Sequence, residues 1–271
     1  MPLVRGIRRL FRSRNLAGTL DTLHDVYSPE LDNVRDVYVY LPPDYEHEVR
    51  RYPVVYMQDG QNLFDTGTSF AGSWRVEDAV ATAARLGQPS IVVGVPNAGA
   101  ERVSEYSPFS DARFGLARGD HYLDFLTGTL KPLIDRQYRT LRDRRTTGIA
   151  GSSMGGLIAL YGAFTRPETF GFAGVLSPSL WFAGGAIFDV VESAMAGAGE
   201  SARGRPRVYL DVGRREGQST LYNARRLRDL LLRHGYRPGV DLRWVEDPGG
   251  EHHEAAWSRR FRKALPALLA A

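Results

Sequence analysis

The stretch Gly148-Ile149-Ala150-Gly151-Ser152-Ser153-Met154-Gly155-Gly156 decides the fold. It contains Gly151-x-Ser153-x-Gly155. A short β-type run, residues 147–151, leads into it, and residues 156–164, apolar almost all round, lead out. Strand, sharp turn and buried helix form the setting of a nucleophile elbow, in which a serine hydroxyl stands above the end of a sheet. Side chains two positions before or after that serine would collide with neighbouring backbone, so glycine is required there. The following helix turns its free N–H groups and positive dipole end toward the serine. The Met154 N–H is thereby placed to donate to an oxyanion. Two other glycine-rich turns fit worse. A short-chain dehydrogenase turn needs glycine at position 152, which is serine, and a phosphate-binding loop needs a Gly-Lys pair that is absent here.

Outward from this turn, short apolar β-type runs alternate with helical segments. Residues 53–58, 90–96, 147–151, 173–177, 207–212 and 241–246 read as buried parallel strands. Residues 19–27 and 34–41, separated by the turn-forming 28–33, read as an antiparallel pair at the sheet edge. Tyr122, Phe125, Leu126, Leu130, Leu133 and Ile134 recur at helical spacing within 120–135, and Leu221, Ala224, Leu227, Leu230 and Leu231 do so between the last two strands. The expectation is an α/β fold: one domain with an eight-stranded, mostly parallel sheet between helices.

Composition narrows the function. The 271 residues are 43% hydrophobic and 24% charged, which excludes a disordered chain. No apolar run is long enough to span a bilayer. Cysteine is absent, which excludes disulfides, cysteine-based zinc or iron–sulfur sites and a thiol nucleophile. The net charge of +4 is carried almost wholly by arginine and is too diffuse to suggest nucleic acid. Arg5, Arg8, Arg9, Arg12 and Arg14 crowd the start and interrupt Leu10 and Phe11, so no signal peptide is read. Residues 1–17 are expected to be a basic tail, residues 18–271 the catalytic domain, and the location cytoplasmic.

A serine hydroxyl near neutral pH needs a base, and the base needs an orienting carboxylate. In this fold the chain order is serine, acid, histidine. His252 and His253 follow the last strand in a Pro- and Gly-rich turn, whereas His234 ends a helix before Gly235. His252 is favoured as the base over His253, which is assigned to the pocket wall. His253-Glu254-x-x lacks the second histidine of a zinc motif, since Trp257 stands there. Glu216, in the loop past the strand 207–212, reaches toward the histidine better than Asp211 within that strand.

Several strings then resemble one family. They are Asn33-Val34-Arg35-Asp36-Val37 with Tyr40-Leu41-Pro42-Pro43-Asp44-Tyr45; Tyr56-Met57-Gln58-Asp59-Gly60-Gln61-Asn62-Leu63-Phe64-Asp65; Asn97 with Arg102 and Glu105-Tyr106-Ser107-Pro108; Tyr138-Arg139-Thr140; Gly151 to Gly156; Ser177-Pro178-Ser179-Leu180-Trp181; Asp211-Val212-Gly213 with Glu216; and His252 with Glu254 and Trp257. Together they resemble the α/β-hydrolase esterases grouped with esterase D, enterochelin esterases, bacterial feruloyl esterases and the antigen 85 acyltransferases, over residues 21–268. The resemblance implies the Gln61 backbone N–H as second oxyanion donor, substrate contact at Asn62, an Arg102–Glu105 ion pair beside the site, and Trp74, Trp181 and Trp257 as pocket walls. No long insertion stands where such enzymes carry a lid, so the cleft is expected to be open. No cofactor or metal is called for.

The expected activity is a serine carboxylic-ester hydrolase with Ser153, His252 and Glu216 as triad and Met154 and Gln61 as oxyanion donors. Its expected substrates are small acyl, aryl (feruloyl-like) or carbohydrate esters. Two other readings use the same residues: acyl transfer to an acceptor other than water, and a catalytically silent binding protein on this fold.

Overall fold

The computed structural model describes residues 6–10, 17–64, 72–197 and 204–270. Its strands are β1 (Gly6–Leu10), β2 (Thr19–Ser28), β3 (Asn33–Leu41), β4 (Val54–Gln58), β5 (Ile91–Val95), β6 (Thr147–Ser152), β7 (Phe172–Leu176), β8 (Arg207–Gly213) and β9 (Leu242–Asp247). They form one sheet in the order β1-β2-β3-β5-β4-β6-β7-β8-β9. The first three pair antiparallel, β3 pairs antiparallel with β5, and the rest of the sheet is parallel. The eight expected strands are all present. A ninth, β1, lies in the stretch expected as a basic tail and registers against β2 from Gly6 opposite His24 to Leu10 opposite Leu20.

The helices are α1 (Val76–Arg85), α2 (Arg102–Glu105), α3 (Gly119–Asp124), α4 (Lys131–Gln137), α5 (Met154–Thr165), α6 (Ile187–Gly197), α7 (Gln218–Arg233) and α8 (Glu254–Leu269). A π-helical segment, Phe125–Leu130, joins α3 to α4, so the expected helix over 120–135 is continuous with one loosened turn. Among the described residues no helix is long and apolar enough to cross a membrane.

The central strands are buried on both faces, and alternate residues feed two separate cores. Val54 and Tyr56 point to a core built with Leu123, Ile134, Leu157, Ile158 and Leu227, from α3 through α7. Val55 and Met57 point to the opposite core, with Val76 and Val80 of α1 and Phe261, Leu265 and Leu268 of α8. α5 is buried almost all round, as its composition requires. These two layers fix the carboxyl ends of β4, β6, β8 and β9 side by side along one rim, where loops gather the polar residues described next.

Candidate active site

Ser153 sits between β6 and α5 with φ 55° and ψ −121°, a conformation that strains any residue with a side chain. Its backbone is pinned on three sides: its N–H donates to the Leu176 carbonyl at 3.1 Å, and its own carbonyl accepts from Leu157 and Ser179, each at 3.0 Å. Gly151 is required by close approach. A Cβ there would lie 2.6 Å from both the Gln58 Oε1 and the Gly155 carbonyl oxygen. The elbow expected from the sequence is therefore present in its geometry. The Ser153 hydroxyl is hydrogen-bonded to the hydroxyl of Ser179 at 3.2 Å.

Glu216 and His252 come together as expected. His252 Nδ1 lies 3.0 Å from Glu216 Oε2. The Glu216 side chain is fully buried, while the imidazole is two-fifths exposed. Burial works to raise the Glu216 carboxyl, but hydrogen bonds from His252 and Ser177 and the charge of Arg260 outweigh it and hold it below its ordinary value. The Trp257 indole packs edge-on to the imidazole with centroids 4.9 Å apart. Two backbone bonds tie the loops carrying the pair together: Arg214 N–H to the Asp247 carbonyl at 2.9 Å and Arg215 N–H to the Gly250 carbonyl at 3.0 Å. Asp211, the other candidate acid, is fully buried in β8, where its Oδ1 accepts from the Ser177 N–H.

Ser153 and His252 line one cavity of about 530 Å³. Met154, the first residue of α5, puts its N–H among the groups that an α-helix leaves unbonded at its start. Gln61 lies in the 3₁₀ turn Gly60–Asn62 on the same cavity wall. Asn62 lines the cavity too, and its Oδ1 is buried with no hydrogen-bond partner among the described residues. Trp74 and Trp257 supply the aromatic wall, with ring centroids 5.7 Å apart.

Three expectations are corrected. Arg102 does not pair with Glu105. It forms a two-pronged ion pair with Asp59, Nε to Oδ1 at 2.7 Å and a terminal nitrogen to Oδ2 at 2.8 Å, on the cavity wall. Burial works to lower the Arg102 guanidinium, but Asp59 outweighs it and holds it up. Glu105 lies outside the cavity, fully buried, and takes both terminal nitrogens of Arg35 at 2.9 and 2.7 Å together with the Asn33 amide. That pair joins β3 to α2. Trp181 is not a wall of this cavity: it is 44% exposed and packs on Phe114 and Phe182. His253 also stays off the cavity, because its Nδ1 accepts from the Ala256 N–H and caps α8.

The structure adds residues to which no role was given. Asn97 donates to Asp59 Oδ1 at 2.7 Å and holds the acidic end of the Arg102 pair. Glu254 lines the cavity at the start of α8. Asp59, Asn97 and Glu254 all stand within the quoted strings, so proximity to a family motif was the available signal. Ser179 likewise lay in a quoted string without a function. Among the described residues no cluster of three or more His, Asp or Glu could hold a metal ion.

Residues 28–268 match the family described as "Putative esterase". The chain belongs to this esterase family. Protein YbbA of Bacillus subtilis (strain 168) is 27% identical to this esterase over 245 residues, covering 85% of the chain and 90% of the relative. The siderophore triacetylfusarinine C esterase of Aspergillus fumigatus is 33% identical over 136 residues, 48% of the chain and 45% of the relative. The fold superposes on the BES protein from Bacillus cereus with a TM-score of 0.74 at 22% identity, covering 96% of this esterase and 97% of that chain.

Proposed function

We propose that this esterase cleaves carboxylic esters by a serine mechanism in which Ser153, His252 and Glu216 are the catalytic residues. The observation that carries the reading is the Glu216–His252 hydrogen bond, made by an imidazole that lines the same cavity as the elbow serine. Ser153 Oγ attacks the ester carbonyl carbon as His252 Nε2 takes its proton. Glu216 fixes the tautomer with the proton on Nδ1 and stabilises the imidazolium. The oxyanion of the tetrahedral intermediate is received by the Met154 and Gln61 N–H groups, helped by the dipole of α5. The imidazolium then protonates the leaving alcohol. Water, deprotonated by the neutral imidazole, attacks the acyl-serine and releases the acid.

The cavity favours small acyl, aryl (feruloyl-like) or carbohydrate esters. Trp74 and Trp257 line it with apolar surface, and the Asn62 side chain and the Asp59–Arg102 pair bring polar groups to its wall. Relatives named as a triacetylfusarinine C esterase and as an endo-1,4-beta-xylanase/feruloyl esterase support this range. The location expected from the sequence is the cytoplasm.

A panel of esters varying acyl and alcohol parts independently, ranked by kcat/KM, tests the substrate class. Covalent labelling by a fluorophosphonate tests the nucleophile. Labelling of the wild type and none of Ser153→Ala is expected, and equal labelling of both would refute the assignment.

A further inference from the structure

Behind His252, the two oxygens of Glu216 are put to different uses. Oε2 faces the imidazole. Oε1 is surrounded by donors: the Ser177 hydroxyl at 2.6 Å, the Gly213 N–H at 2.8 Å and two nitrogens of Arg260 at 3.1 and 3.2 Å. The direction of the Ser177 proton is determined by its own neighbours. Its oxygen already accepts from Trp257 Nε1 at 3.0 Å and from Arg260 at 2.7 Å, so its hydrogen is given to Glu216. Arg260, on α8, is only 4% exposed, and its Nε faces Asp211 Oδ2 at 3.5 Å. A buried guanidinium between two buried carboxyl groups is costly unless its hydrogen bonds are well met.

We propose that Arg260 and Ser177 are positioning residues for the reaction: they saturate Oε1 of Glu216 so that Oε2 alone addresses His252, and the Arg260 charge keeps the imidazole neutral, and so a base, at lower pH. The inference rests on the assignment of His252 as base. Its electrostatic half follows from proximity. A bare carboxylate favours the imidazolium, whereas a carboxylate paired with a guanidinium favours it less. Other charged groups surround the pair. They are Asp211 on β8, Glu254 on α8, Glu251 with its partners Arg215 and His253, and the Asp59–Arg102 pair across the cavity. Burial pushes Asp211 up to about 7, against the pull of Arg260, so its carboxyl is substantially protonated at neutral pH and offsets Arg260 only in part.

The test is the pH dependence of kcat/KM for p-nitrophenyl acetate in Arg260→Gln, Arg260→Lys and Ser177→Ala, with Ser153→Ala run alongside. Arg260→Gln is expected to lower kcat about tenfold or more and to move the acid half-rate point up by about one pH unit. Arg260→Lys keeps the charge but not the fork, so kcat falls while the half-rate point stays within about 0.3 unit of wild type. Ser177→Ala lowers kcat with the half-rate point unmoved. A folded Arg260→Gln protein with an unshifted half-rate point overturns the proposal, whatever its rate. If Arg260→Gln does not fold, Arg260→Lys decides alone: a lowered kcat with KM and half-rate point unchanged supports the proposal, and any other pattern overturns it. Loss of activity in Ser153→Ala with a wild-type profile in Arg260→Gln removes this inference only. Survival of activity in Ser153→Ala removes the triad itself.

Discussion

The Ser153 hydroxyl rests 3.2 Å from the hydroxyl of Ser179, a residue whose own N–H also holds the Ser153 carbonyl. The proposed nucleophile thus rests on a neighbour that has no base strength. In the proposed mechanism the hydroxyl must leave Ser179 for His252, which lines the same cavity. Catalytic hydrogen bonds that tighten only once substrate is bound are common in free enzymes.

Removing the nucleophile separates chemistry from strain. Ser153→Ala and Ser153→Gly are both expected to lower p-nitrophenyl ester hydrolysis by at least ~10³. Glycine tolerates the positive φ that alanine does not, so Ser153→Gly should unfold at a higher temperature than Ser153→Ala, with a difference of about 1–3 kcal/mol. Calorimetry of the two variants measures it. An alanine variant with more than a tenth of wild-type activity contradicts the elbow assignment.

The rate should fall on acidification. As the proposed base, His252 must be neutral to accept the serine proton, so kcat/KM is expected to decline through one protonation as pH drops. Stopped-flow or plate assays from pH 5 to 9 read this directly, and a level profile across that span is incompatible with an imidazole base.

Asp211 predicts a pH dependence of stability. Burial raises its carboxyl to about 7, so the folded state keeps the proton that the unfolded chain releases near pH ~4. Its contribution is therefore fully present below about pH 4 and is lost as pH rises through about 7. Glu216 acts in the opposite sense, because its lowered carboxyl contributes above the ordinary glutamate range and loses that contribution on acidification. Both proteins in a comparison with Asp211→Asn retain Glu216, so its effect cancels. The Tm of Asp211→Asn minus that of wild type should grow from pH 5 to pH 7.5 and then level off. A constant difference disproves the account.

Gly213 is a test of alignment. A Cβ added there would lie 2.3 Å from the Gly250 carbonyl oxygen and 2.6 Å from Glu216 Oε1. Gly213→Ala must push apart the loops that carry Glu216 and His252. An ångström of misplacement in a catalytic group costs on the order of 10² in rate, so kcat should drop by roughly that factor. Unchanged kcat in a folded variant would show that the two loops need not be in register.

Much of this arrangement is legible in the linear chain. Parallel strands buried on both faces write themselves as runs such as Val54 to Met57, and the elbow, acid and base follow in a fixed order. What escaped has physical reasons. β1 is the short run Gly6-Ile7-Arg8-Arg9-Leu10 with two adjacent arginines, and such a run reads as a solvated tail until a partner strand is seen. Arg102 and Glu105 are close in sequence, yet each pairs elsewhere: Arg102 with Asp59 on the cavity wall and Glu105 with Arg35 from β3. Arg260 looks like any surface charge on an amphipathic helix. Only the convergence of three separate segments against it makes it a buried residue.

His252 follows β9, which lies at one edge of the sheet, whereas Ser153 follows β6 deep inside it. Fraying begins at the rim of a sheet. Warming should therefore silence this esterase before it melts. The margin would lift His252, the proposed base, away from the buried Glu216, the interior would keep its circular dichroism, and cooling would restore turnover without any need to refold the centre.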